Sequence, residues 1–495
     1  MPDFVPDLAC EIAPLNNYLG VMLPSTPLHH LLLQKGPDIL VMTSGNRSGE
    51  PLSIENNDAV DAFSHIADYF LLHNRDIYFG ADDSVIQVLD KKPRFIRRSR
   101  GYAPLPIYLN RTMPGILGCG GGLKSTVCLT RNNHAFLSPY IGDLDNKKVF
   151  EYYQNNIAHL KQILDIQPGI IAHDLHPGYM SSQYAMAQKD VKIIQVQHHH
   201  AHAAACMAEN HLDEPVIAIT LDGTGLGTDG HIWGGEILVC TQSGFTRKAH
   251  LSYVQMPGGD AAVLEPWRMA TSLLYQAFGD DLLNLDLPFI HEMDEKKLSF
   301  ICQMMEKDLN SPLTSSAGRL FDAVASLLCI RHTISYESQA AMELEAIAGD
   351  TTSGQAYDFH VLEDNTIDHE NIEQPPKTHA LESLSENTYT IDMIPAIGQI
   401  VESIGQGRSP SQISADFHHT MVTAFSDVAA MISQKTAIKK IVLSGGVFNN
   451  ASIFTNMVNT LTNKGLMVFT HSTIPTGDGG ISLGQAVIAA ALEDN

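Results

Sequence analysis

At 495 residues the chain exceeds what one core ordinarily fills, and it implies two to four domains. A hydrophobic content of 44% with 7% aromatics excludes a disordered chain. The formal charge of -24 argues against a nucleic-acid partner, because clamping a phosphate backbone requires basic side chains. No apolar stretch is long enough to span a membrane, and MPDFVPDLACEIAPLNN carries acids where a secretory leader carries bases, so a cytoplasmic protein without membrane contact is expected. Seven cysteines lie scattered with no C-x-x-C pair, which suggests neither a structural zinc site nor a disulfide framework.

In chain order, PDILVMTSGNRSGEPL predicts a strand over Ile39 to Thr43 followed by a Gly-Asn turn, and ADYFLLHNRDIYFGADDSVIQVLD continues in strand-like pieces. Lys91 to Arg100 reads as a local basic patch. From Pro114 the texture becomes that of an α/β domain. GILGCGGGLKSTVCL is two strands around a glycine turn, Lys147 to Ile163 is a helix, and IIAHD and VKIIQVQ are strands. PVIAITLDGTGLGTDGHIWGGEILVC is a strand, a glycine-rich turn, a hairpin and a strand. SSAGRLFDAVASLLCIR opens on a small-residue turn and becomes an amphipathic helix, and Lys439 to Leu443 is a strand leading into Gly445-Gly446 and another helix. Residues 350–390 are polar and acidic and read as an insertion within the second domain.

The run QVQHHHAHAAACMAE carries the clearest chemistry. His198 and His202 stand four apart in a helix-like stretch, which stacks both imidazoles on one face. A bare H-x-x-x-H also occurs as surface ornament, so other donors must support it. Asp222 follows the apolar run VIAITL, where a carboxylate must face a cleft or be paired. Asp478 lies between glycines in PTGDGGISLGQA, where it could equally cap a helix. Two imidazoles and two carboxylates would neutralise a divalent ion, and such a mixed set suits iron, zinc or manganese better than calcium. Glycine turns at Gly118 to Lys124, Asp222 to Gly230 and Ser444 to Asn450 could admit phosphate oxygens to backbone N–H groups, with Lys124 as a point charge. None has P-loop or dinucleotide-fold spacing, which leaves a nucleotide cleft split between two lobes.

LGCGGGLKSTVCL, LSPYIGDL, AHDLHPGYMSSQYA, VQHHHAHAAACMAE, LDGTGLGTDGHIWGGE, MPGGDAAVLEPWRMA, SSAGRLFDAVAS, SGGVFNN and GDGGISLGQAVIAAA together resemble the C-terminal part of the HypF family, the carbamoyltransferases of [NiFe]-hydrogenase maturation. The resemblance runs from about Pro114 to the C-terminus. It implies a duplicated actin/sugar-kinase-like domain in two lobes over 108–495. Residues 1–107 resemble the C-terminal half of a YrdC-like α/β domain, through Ser44 and Asn46 of VMTSGNRSGEPL, Ser84 of ADDSVIQ and Arg98 of FIRRSRGYAPLP. In YrdC-like domains such positions help hold ATP and the carbamoyl group, and those domains are otherwise linked to RNA. The family's acylphosphatase-like domain, paired zinc modules and lysine-rich first YrdC half have no counterpart in the sequence.

By the same resemblance, His198, His202, Asp222 and Asp478 would bind a divalent metal (iron, zinc or magnesium). Lys124, Gly223, Gly225, Gly318, Asp322, Gly445, Gly446 and Asn449 would hold the nucleotide of carbamoyl adenylate. The expected reaction is carbamoyl transfer to the C-terminal cysteine of HypE, with carbamoyl phosphate and ATP as pathway substrates. A separate N-terminal HypF fragment is a further expected partner. The competing readings are an O-carbamoyl or tRNA threonylcarbamoyl transferase, and a non-catalytic remnant that binds nucleotide or HypE.

Overall fold

In a computed structural model, residues 9–349, 354–364 and 387–493 are described. They separate into two compact units, Met1–Asp82 and Asp83–Asn495. The expected boundary near residue 107 follows family resemblance, whereas this division follows compactness.

In the first unit, Thr26 caps the helix Pro27–Lys35 by accepting from the His29 N–H, with proline at its first position, and a second helix spans Asn56–Phe63. The strand expected at Ile39 to Thr43 does not form. A strand exists only through a partner's ladder, this unit has none among its described residues, and Ile39 and Val41 stand exposed. The strand-like pieces expected before Asp82 are likewise irregular.

The second unit opens with a hairpin of Val85–Leu89 and Lys92–Arg97. The expected basic patch is partly interior. Arg94 is buried with its guanidinium over the Phe454 ring and Nη1 donating to the Phe448 carbonyl, and burial lowers its pKa to about 10. Two sheets follow. The first runs Pro106–Met113, Cys128–Leu137, Ile116–Gly118, Ile170–Asp174, Lys192–Val196; its central strand Ile116–Gly118 is antiparallel to one neighbour and parallel to the other. The second repeats that pattern around Val216–Leu226, antiparallel to Ile232–Cys240 and parallel to Lys440–Ser444, with Phe245–Leu251 and Met467–Thr470 outside them. The repeats differ at one edge, whose strand comes from before the central strand in the first sheet and from after it in the second. Two lobes of one architecture, with helices on α/β sheets, match the expected fold class.

The 350–390 segment contributes to antiparallel strands, His360–Asp364 and Thr388–Asp392, and the latter extends the second sheet parallel to Phe245–Leu251. Residues 350–353 and 365–386 of that segment lie outside the described residues. The histidine run is the helix His198–Glu209, packed against the C-terminal helix Ile481–Glu493 and the second sheet. Small residues make this possible: a Cβ on Gly484 would stand 1.9 Å from the Ala201 carbonyl oxygen, so the two backbones touch. No helix among the described residues is long and apolar enough to cross a membrane.

Candidate metal centre

The central and parallel strands of both sheets point their C-terminal ends at one place, where open α/β sheets bind ligands. Strand Lys192–Val196 delivers Gln197, whose side-chain oxygen accepts the His200 N–H at 2.8 Å and starts the histidine helix. His198 and His202 are buried and lie one turn apart, edge to face, with ring centroids 5.0 Å from each other. Asp222 lies within Val216–Leu226 at an irregularity of register between Leu221 and Gly225, which turns its carboxylate out of the ladder. Asp478 begins the short 3-10 helix Asp478–Gly480.

These four side chains converge, one ligand atom from each lying within 4.8 Å of all the others. His198 Nε2 is 3.3 Å from Asp222 Oδ2 and 3.7 Å from Asp478 Oδ1; His202 Nε2 is 3.5 and 3.7 Å from the same atoms. An ion bonded at about 2.1 Å to four tetrahedral donors sets donor separations near ~3.4 Å. His202 Nε2 is buried with no hydrogen-bond partner, a costly condition for a polar atom without a ligand. The donor set therefore fits a divalent ion.

Supporting groups fix both rings. His198 Nδ1 meets Asp174 Oδ2 at 2.8 Å, leaving Nε2 toward the carboxylates. His202 Nδ1 is 3.4 Å from Ser444 Oγ, which is 2.9 Å from His471 Nε2, whose Nδ1 reaches Glu209 Oε2 at 2.9 Å. Burial works against charge on His198, but Asp174 and the other carboxylates outweigh it and hold its pKa well above the usual range. His202 is raised in the same way by Asp222 and Asp478. Burial and then Asp222 oppose ionisation of Asp478, yet the two imidazoles lower it to about 2. The other two histidines belong to the core. His200 Nε2 meets the Thr241 carbonyl at 2.8 Å and burial lowers its pKa to about 4; His199 packs on Trp233 and is lowered to about 3 by burial and then by His198.

The residues expected at the nucleotide do not all present free groups. Lys124 faces the centre, paired with Glu337 at 2.7 Å; burial disfavours its charge, but Glu337 prevails and raises its pKa to about 12. Gly445 (φ +107) is required, since a Cβ would stand 2.2 Å from the Leu221 carbonyl oxygen. The Gly446 N–H, expected for phosphate, instead donates to Asp222 Oδ1 at 2.9 Å. Gly225 lies inside the strand rather than in a turn; a Cβ there would meet His198 and His199 at 2.8 and 2.7 Å, so it admits the histidine helix. The turn of that hairpin falls later, where Gly230 N–H donates to the Gly227 carbonyl. Gly318, in the first turn of the helix Ala317–Leu327, lets that helix approach Gly223, whose carbonyl accepts from the Ser316 hydroxyl. Asp322 is buried in an ion pair with Arg319 at 2.7 Å. Asn449 is half-buried at the end of the 3-10 helix Gly446–Asn449.

Of the YrdC-like positions, Ser44 and Asn46 lie in the first unit, where the Ser44 hydroxyl donates to Asn46 Oδ1 at 2.5 Å and Asn46 Nδ2 donates to the Glu50 carbonyl. Ser84 and Arg98 lie in the second unit. Ser84 bonds Arg100 and Ser99, and Arg98 is buried with Nη2 on the Tyr102 and Leu105 carbonyls. Sequence reasoning missed Asp174, Ser444, His471, Glu209 and Glu337. Asp174 alone had a signal, a carboxylate closing a buried strand, as Asp222 has.

Three family models match the chain. A model described as "Carbamoyltransferase, Kae1-like Domain, second subdomain" matches residues 218–485, "HypF Kae1-like domain" matches 111–209, and a Sua5/YciO/YrdC model described as "Telomere recombination" matches 3–99. Carbamoyltransferase HypF2 of Cupriavidus necator is 39% identical across 98% of this chain and 62% of its own length. Carbamoyltransferase HypF of Synechocystis is 37% identical over 96% and 60%. A shorter Carbamoyltransferase HypF homolog of Cupriavidus necator is 35% identical over 76% of this chain and 91% of its own length. A crystal structure of full-length HypF in a phosphate- and nucleotide-bound form superposes with a TM-score of 0.91 at 42% identity, covering 99% of this chain and 73% of that one. The chain thus spans about six-tenths of the length of the first two relatives, and it belongs to the HypF family of carbamoyltransferases.

Proposed function

We propose that this chain transfers a carbamoyl group from carbamoyl adenylate to the C-terminal cysteine thiolate of HypE, on the way to the cyanide ligands of [NiFe] hydrogenase. The observation that carries the reading is the convergence of His198, His202, Asp222 and Asp478 where two like sheets meet, in a chain of this family. Those four residues would hold a divalent metal: iron, zinc or magnesium. When bound, such an ion polarises carbamoyl or phosphate oxygens as a Lewis acid and template.

The chain's own groups do the rest. Asp174 holds His198 and the Ser444–His471–Glu209 chain holds His202, so the donors are set before substrate arrives. Gly446 orients Asp222 through its N–H. Lys124 carries the positive charge suited to the adenylate phosphate, and a phosphate oxygen would take the place of the Glu337 carboxylate on it. The thiolate sulfur attacks the carbamoyl carbon, the carbon–oxygen bond to phosphate breaks, and AMP leaves with the electron pair, giving a thiocarbamate.

The reading is confined to the transfer half-reaction. Ser44 and Asn46 engage each other and nearby backbone, and the first unit exposes Leu15, Val21, Leu23, Val41, Tyr69 and Leu71, apolar surface suited to a further polypeptide such as a separate N-terminal HypF fragment. Carbamoyl adenylate made from carbamoyl phosphate and ATP would then be supplied to this chain. Incubating the protein with pre-formed carbamoyl adenylate and a peptide of the HypE tail should add one carbamoyl mass to the cysteine. An unmodified peptide under conditions where the protein retains its metal would refute the reading.

A further inference from the structure

Among the described residues a second group of metal-ligating side chains converges apart from the four already described: Glu292, Cys329 and His332. The helix Ala317–Leu327 links the two places. Its first turn packs on Gly223, beside Asp222, and its 11 residues carry the chain on the order of 16 Å along the axis before it ends. There Cys329 adopts a left-handed conformation (φ +55), with its N–H donating to the Ser326 carbonyl and the Ile330 N–H to the Ala325 carbonyl. This bonded turn brings Cys329 and His332 to Glu292, the last residue of the short helix Pro288–Glu292.

His332 Nδ1 meets Ser326 Oγ at 2.8 Å, which leaves Nε2 facing Glu292 Oε2 at 3.2 Å. The adjacent Arg331 is turned away, held by both oxygens of Glu343 at 2.7 and 2.8 Å. The helix has no basic residue in its last turn, so its C-terminal carbonyls favour a cation that no side chain of that turn supplies. Thiolate, imidazole and carboxylate together neutralise a divalent ion. A thiolate donor selects zinc-type ions over magnesium or calcium, and three protein donors leave one position for water.

We propose that Glu292, Cys329 and His332 bind a zinc-type divalent cation that clasps the helix Pro288–Glu292 to the C-terminal end of the helix Ala317–Leu327. The site is independent of the reading given to His198 and its neighbours. Its donors come from a Cys-x-x-His spacing and a distant glutamate, and so fall outside the C-x-x-C pattern by which zinc sites are usually read from sequence.

Cobalt(II) titration of the chelator-stripped full chain tests it. A thiolate-to-cobalt charge-transfer band should saturate by two equivalents in the unaltered protein, which fills both centres, and by one in His198→Ala/His202→Ala, and vanish in Cys329→Ser. Ser326→Ala should weaken cobalt binding at this band by about 10–100-fold through loss of the ring's support. E292Q, a change at an exposed side chain, should weaken it as well. Absence of the band in the unaltered protein, or its persistence in Cys329→Ser, would overturn the proposal. Should Cys329→Ser fail to fold, unchanged cobalt affinity in both Ser326→Ala and E292Q would overturn it equally.

Discussion

The two oxygens of Asp222 face different neighbours. Oδ2 lies beside both imidazoles, and Oδ1 accepts the Gly446 N–H, so the carboxylate's orientation depends on a glycine more than 200 residues away in sequence. Asp174 plays the corresponding part for His198. Asp174→Asn should lower metal affinity by about 10–100-fold, read by competition with a chelator, without loss of the fold. A separate carboxyl reports on stability. Burial raises the pKa of Glu345 to about 7, although it accepts the Ala451 N–H at 2.7 Å at the start of the helix Ala451–Asn463. Because the folded state then keeps a proton that the unfolded state has already lost, stability should fall as pH rises from about 4.5 to about 7. Denaturant melts across that window should show the fall, and Glu345→Gln should flatten it. That His198 and His202 share a helix face was legible in their spacing of four. The link from His202 through Ser444 and His471 to Glu209 was not, because its members come from three elements and no local pattern joins them.

At the scale of elements, the histidine helix is alanine-rich because it is buried along almost its whole length and crosses the C-terminal helix in backbone contact. Gly484→Ala would force the helices apart at Ala201, one residue from His202. We expect a loss of about 1–3 kcal/mol or more, the range for overpacking, together with reduced metal retention, measured by thermal melts with elemental analysis on the same samples. The helix Lys147–Leu164 and the strand Lys440–Ser444 lie within a residue of where periodicity and glycine punctuation placed them, whereas the helix Ala317–Leu327 ends four residues before Arg331, where the segment read as helical stops. Strand Val216–Leu226 runs further than its glycines suggested. Asp-Gly-Thr-Gly reads locally as a turn, but the ladder to Ile232–Cys240 resumes after the irregularity, and Gly225 is small because a helix lies against it. In the first unit the opposite error occurs: the short apolar run Ile39 to Thr43 predicts a strand, and the ladder it needs is missing among the described residues.

Over the whole molecule, the two units differ in kind. The second buries extensive apolar clusters in and between its sheets, whereas Gly80 alone is buried among the first unit's described residues. All four donors of the centre belong to the second unit. Limited proteolysis should therefore cut within the first unit first, and the fragment that keeps the second should retain the ion; simultaneous loss of both would contradict that division. The most direct test of the account is the metal itself. Elemental analysis of the purified chain beside His198→Ala should show the variant lacking one ion per chain, and unchanged metal content would contradict a centre built on His198, His202, Asp222 and Asp478.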